Sequence, residues 1–173
     1  MPGGSQLEAF DTLLTLAEVS LGLAGFAGIV IVFGRGPGAL PPADSFRLLA
    51  LVACSLGTLF LSLISIALGF VGVTEPELWQ WSSAMMVALA VPAHLFAFSR
   101  VRRDAAEIFE VLPVFMLPIG ASFFVANFVA QICNALGVAW VPSFGVYLFG
   151  LILYLLFAAF QFARMLFVRP SAG

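Results

Sequence analysis

Glu18 is an acid inside a long apolar run, LTLAEVSLGLAGFAGIVIVFG, and it opens the search for chemistry in this chain. Counted from Leu13 at about 1.5 Å per residue, it lies roughly 8 Å along the run. A charge held within a bilayer costs a few kcal/mol, so the carboxylate must find a partner or take up a proton. Three amides could supply hydrogen bonds: Asn127, Gln131 and Asn134, all in a second apolar run. If that run is also a membrane helix, Gln131 reaches a similar depth and Asn127 lies about one turn deeper. Glu18 with these amides is the candidate intramembrane polar site. Its chemistry would be that of a proton carrier or a cation site. The competing reading is a structural glutamate held by hydrogen bonds.

His94, the chain's single histidine, forms a secondary polar site with Gln161. One histidine is too few for zinc, which takes at least three protein ligands in most sites. A haem or pigment needs fewer ligands, but a hydrogen-bonded interfacial histidine is the simpler expectation, and no metal or cofactor is assigned. Enzyme motifs are missing: the sequence contains no HExxH, GxSxG or CxxC. Gly120-Ala-Ser122 has the spacing of an intramembrane serine nucleophile, but its one available base, His94, belongs at another depth. A non-catalytic protein is expected. Cys54 and Cys133 fall in apolar runs at different depths, where free thiols are expected.

The elements that must position these residues follow from composition. Of 173 residues, 62% are apolar and 9% charged, with a mean hydropathy of +1.13. A soluble domain carries roughly a quarter charged residues. Membrane helices need about 20 apolar residues each. The sequence divides into five such spans, at about 10–33, 46–73, 78–98, 111–136 and 143–168. These make one all-α polytopic membrane domain, a bundle of five transmembrane helices. The seven basic residues are all arginine. Arg35 and Arg47 fall between spans one and two, Arg100, Arg102 and Arg103 between three and four, and Arg164 and Arg169 at the end of span five. Glu8, Asp11, Glu75 and Glu77 fall on the other side. Arginine-rich short loops mark the cytoplasmic face, so the expected topology is N-out, C-in. The acidic start lacks the positive region of a secretory signal, so the first span is expected to be retained. With so few basic residues, nucleic-acid binding has no electrostatic footing.

Finer features follow. Asp44 is a candidate N-cap for span two. Trp79 and Trp81 suit the headgroup layer. SRVRRDAAEIFE could form a short surface helix, and Pro118 is expected to kink span four. Each span carries one small or polar stripe at helical spacing. Span one shows Asp11, Thr15, Glu18, Gly22 and Gly25. Span two shows Ser55, Thr58, Ser62, Ser65, Gly69 and Gly72. Span three shows Gln80, Ser83, Val87, Ala90 and His94. Span four shows Gly120, Asn127, Gln131 and Asn134, and span five Tyr147, Gly150, Tyr154, Ala158 and Gln161. Membrane helices associate through close packing of small residues and hydrogen bonds, so all five stripes are expected to face inward. Gly22, Gly25, Ser55, Thr58, Ser62, Ser65 and Gly69 are the expected helix-packing residues, and the GxxG spacing of LGLAGFAG serves a contact within the subunit or between subunits equally well.

The opening AEVSLGLAGFAGIVIVFGR, followed by DSFRLL, resembles small, uncharacterised bacterial multi-pass membrane proteins with a glycine-rich first span. The resemblance covers the first third of the chain. It implies a bacterial inner-membrane location and carries no activity across. Two functions are expected to compete. One is a non-catalytic membrane protein, an oligomeric bundle or a subunit packing with a larger membrane complex. The other is a small proton-linked carrier or cation channel centred on Glu18 and the span-four amides. The partners are the lipid bilayer and a second copy or another membrane protein.

Overall fold

A computed structural model describes residues 4–34, 42–103, 116–138 and 143–167. They form five helices: α1 (Gly4–Gly34), α2 (Pro42–Phe70), α3 (Glu77–Arg103), α4 (Met116–Leu136) and α5 (Phe144–Phe167). Four of them, all but α4, are long and apolar enough to cross a membrane. In α4 the apolar stretch Ala121–Leu136 is shorter.

The helix ends follow local chemistry. Pro42 opens α2, where its missing N–H would have had no partner in any case. Asp44 is therefore not the N-cap. It lies within the first turn, favourable for the helix dipole, and accepts a hydrogen bond from Arg47 Nη1 at 3.0 Å. That ion pair is buried on both sides. Helix α2 stops at Phe70, three residues before the expected end. Gly72 then takes φ of 101°, a conformation that L side chains rarely adopt. Pro118 is the third residue of α4 rather than an interior one. In the first turn the N–H groups have no intrahelical partner, so the proline breaks no bond. The surface-helix expectation is met only as far as Arg103, because α3 runs on to that residue. Residues 104–115, with the start expected for span four, lie outside the described residues, as do Arg35 and Arg169.

Successive helices run in opposite directions. Gln6 near the start of α1 donates to the Val73 carbonyl just beyond the end of α2. Trp79 near the start of α3 packs on Phe144 and Tyr147 near the start of α5. Asn134 near the end of α4 bonds Ser143 at the head of α5. The starts of α1, α3 and α5 thus share one end of the bundle with Glu8, Asp11, Glu75 and Glu77. Arg47, Arg100, Arg102, Arg103 and Arg164 occupy the other end.

Helices α2 and α5 form the central pair. Helix α1 lies in the groove on one side of this pair, and α3 and α4 close the other side. Among the described residues, α1 touches neither α3 nor α4. One apolar cluster sits toward the acidic end, around Phe10, Leu13, Leu61, Leu78, Trp79, Tyr147 and Leu151. A smaller one sits toward the arginine end, around Ala27, Leu51, Ala158 and Met165. Large apolar side chains such as Phe26, Phe60, Leu95, Val125 and Leu156 cover the outside, as lipid contact requires.

Candidate functional site: a buried amide clamp and an outward carboxylate

The stripes of α2, α4 and α5 face inward. Ser55, Thr58, Ser62, Ser65 and Gly69 of α2 are buried, as are Asn127, Gln131 and Asn134 of α4. So are Tyr147, Gly150, Tyr154, Ala158 and Gln161 of α5. Gly72 is exposed in the turn, and Gly120 lies among residues whose side-chain surroundings are not described.

The three α4 amides form a clamp across α3, α4 and α5. Ser83 Oγ of α3 donates to Gln131 Oε1 at 2.8 Å. Gln131 Nε2 donates to the Val146 carbonyl of α5 at 2.8 Å and to Asn127 Oδ1 at 3.2 Å. Asn134 Nδ2 donates to Ser83 Oγ at 2.8 Å, and Asn134 Oδ1 accepts from the Ser143 N–H at 2.9 Å. In a dry interior an unpaired amide is costly, so these bonds bind three helices at a fixed register. Ser143 escaped the sequence reading. A serine directly before a helix is the usual N-cap signal, and its Oγ accepts a weak 3.4 Å bond from the Val146 N–H. On α2, Ser65 Oγ donates to Tyr147 Oη at 2.9 Å, and the Tyr147 hydroxyl donates to the Leu61 carbonyl. Beneath the clamp lies a void of about 10 Å³, lined by Met86, Ala90, His94, Asn127, Gln131 and Tyr154. That is room for about one water molecule.

His94 is exposed on α3, unlike the stripe it was assigned to. Its Nδ1 lies 2.6 Å from the Ala90 carbonyl, so that nitrogen carries the proton. The ring sits edge-on to Phe124 at 5.3 Å. Gln161 is buried with Oε1 unpartnered, and no hydrogen bond joins the two among the described residues. Gln80 and Val87 are half-buried, while Ser83 and Ala90 are buried. Trp79 is buried too, its Nε1 donating to Glu75 Oε1 at 2.7 Å, so of this pair Trp81 alone presents its indole outward. Both cysteines are free thiols.

Helix α1 departs from the expected packing. It buries Gln6, Ala9, Phe10, Leu13, Ala17, Ser20 and Ala27. Asp11, Thr15, Glu18, Gly22 and Gly25 are all exposed. At about 100° per residue these five, with Glu8, occupy one strip about 100° wide, opposite the buried face. Thr12 and Thr15 turn back to the Glu8 and Asp11 carbonyls, a local bond open to hydroxyls in lipid. The structure therefore does not bring Glu18 to Asn127, Gln131 and Asn134. The carboxylate is on one side of the α2–α5 pair, the amides are on the other, and the amides are already bonded to Ser83, to the α5 backbone and, between Gln131 and Asn127, to each other. Of the two contacts open to Gly22 and Gly25, the one within the subunit is not made: a Cβ on either meets no atom within 4 Å.

Phe10 abuts Gly69 in the last turn of α2. Glu18 lies eight residues further along α1, about 12 Å deeper, and below the level of Trp81 at the head of α3. It has neither hydrogen bond nor ion pair among the described residues. An apolar groove of about 520 Å³ adjoins the strip at Gly22, walled by Val19, Leu23 and Phe26 of α1 and by Ile152, Leu156 and Ala159 of α5. Compared with known proteins, the chain matches no protein family, no curated protein and no solved structure.

Proposed function

We propose that this protein is a non-catalytic membrane subunit that assembles within the bilayer through the outward face of α1. The arginine end faces the cytoplasm, following the bias of arginine toward cytoplasmic loops, and a bacterial inner membrane is the setting the opening motif implies. One observation carries the assembly reading: the polar strip of α1, including Glu18 at bilayer depth, points away from its own bundle. Facing lipid alone, a carboxylate at that depth is unfavourable. Against another helix, Gly22 and Gly25 allow close backbone approach. The buried clamp on the other side serves the fold, because every α4 amide in it is hydrogen-bonded.

Site-specific photo-cross-linking in native membranes tests the reading. A photoreactive phenylalanine in place of Phe26, exposed at the edge of the strip, is expected to yield protein adducts, while one at Val125, on the outer face of α4, yields lipid adducts only. Lipid adducts alone from both positions would refute assembly through α1.

A further inference from the structure

We infer that the α1 face receives a transmembrane helix of a different protein, one that carries a lysine or arginine at the depth of Glu18. This rests on the assembly reading above and names the partner's chemistry. The first argument is charge complementarity. Glu8, Asp11 and Glu18 lie along the same strip, and Glu18 has no partner of its own among the described residues. A cation opposite it converts two separately costly groups into one pair in a low-dielectric setting.

The second argument excludes a second copy as the source of that cation. All seven basic residues of the chain are arginine, and the five among the described residues lie at the end of the bundle opposite Glu8 and Asp11. A parallel copy would set Glu18 against Glu18. An antiparallel copy would place arginine-bearing loops on the outer face, against the charge bias that orients membrane proteins. The third argument is shape. Gly22 and Gly25 leave the strip open, with no atom near either Cβ position. The 520 Å³ groove beside them is apolar and takes side chains from the flank of the same docked helix. The fitting partner thus has a basic residue in its outer half, small residues facing Gly22 and Gly25, and apolar side chains toward α5.

The test uses the full chain in phosphatidylcholine vesicles, with synthetic transmembrane helices of about 22 residues as probes. Two probes share a Gly-xxx-Gly face and differ at one position, level with Glu18, which is lysine in one and leucine in the other. Association is read by energy transfer from a donor dye on the protein. The lysine probe is expected to bind at least about fivefold more tightly than the leucine probe. Glu18→Gln, which keeps size and helix content, is expected to erase that difference, and Gly25→Leu to weaken both probes. Equal binding of the two probes to wild type, or a preference unchanged by Glu18→Gln, overturns the cationic partner and leaves assembly through α1 standing. In native membranes, cross-links from the probe at Phe26 to a second copy alone also overturn it. A cross-linked helix with a basic residue within one turn of the adduct supports it.

Discussion

Gln131 reaches the backbone of α5 because residue 150 has no side chain. A Cβ built on Gly150 would stand 2.6 Å from Gln131 Nε2 and 2.8 Å from both Asn127 Oδ1 and Met86 Sδ. Gly150→Ala is therefore expected to push α4 and α3 away from α5 and to loosen the Gln131–Val146 bond. The expected loss is about 1–3 kcal/mol. Gly145, on the same helix, has open space around its Cβ position, and Gly145→Ala should be near neutral. Thermal unfolding in detergent compares the two. Equal stability of both variants would mean that the clamp does not depend on the glycine.

A second close approach ties α1 to α2. A Cβ on Gly69 would run into the Phe10 ring, which also packs on Phe70 with centroids 5.9 Å apart. Gly69→Ala should destabilise the bundle, and Phe10→Leu should relieve part of that loss by freeing ring volume. A double-mutant cycle reads the coupling, expected to lie between about 0.5 and 3 kcal/mol. Additive effects would contradict direct contact.

The inward faces of α2, α4 and α5 were legible because Ser55, Thr58, Ser62 and Ser65 of α2, the amides of α4 and the tyrosines and glutamine of α5 each fall on one stripe. Helix α1 carries two, on opposite sides. Gln6, Ala9, Ala17, Ser20 and Ala27 form one, and Asp11, Thr15, Glu18, Gly22 and Gly25 the other. Periodicity finds both and does not rank them. Polarity favours the second as the inner face, yet the structure buries Ala9, Leu13, Ala17, Ser20 and Ala27 on the side of α1 that meets α2 and α5. The site was misread for a related reason. Depth along a span places Glu18 level with Gln131, but depth says nothing about which helices are neighbours. Pro118 and Asp44 turned on helix starts, which shift by a few residues and change a kink into a harmless first-turn proline.

The alternation of helix direction makes orientation measurable at single residues. Cysteines at Glu77 and Val71 mark the acidic end, and cysteines at Arg102 and Arg103 mark the arginine end, all four exposed. On a background lacking Cys54 and Cys133, a membrane-impermeant thiol reagent added outside intact cells should label the first pair only. Labelling of Arg102→Cys from outside would reverse the proposed topology.

Folding and assembly should separate on α1 and α2. Ser62 is fully buried in α2, so Ser62→Leu must force helices apart, at an expected cost of about 1–3 kcal/mol. Leu63, its neighbour, is 42% exposed, and Leu63→Ala leaves no enclosed cavity, so the isolated bundle should tolerate it. Gly25→Leu distinguishes the two faces of α1. Were its stripe turned inward, the added side chain would disrupt the fold as Ser62→Leu does. With open space at that position, Gly25→Leu should leave the unfolding temperature in detergent unchanged. Its effect should appear only in the membrane, as lost cross-linking from a photoreactive phenylalanine in place of Phe26, because leucine bulk holds a second helix away from the strip. Unfolding of Gly25→Leu in detergent to the extent of Ser62→Leu would return the α1 stripe to the interior. A stable variant that still cross-links at the wild-type level would separate the strip from assembly.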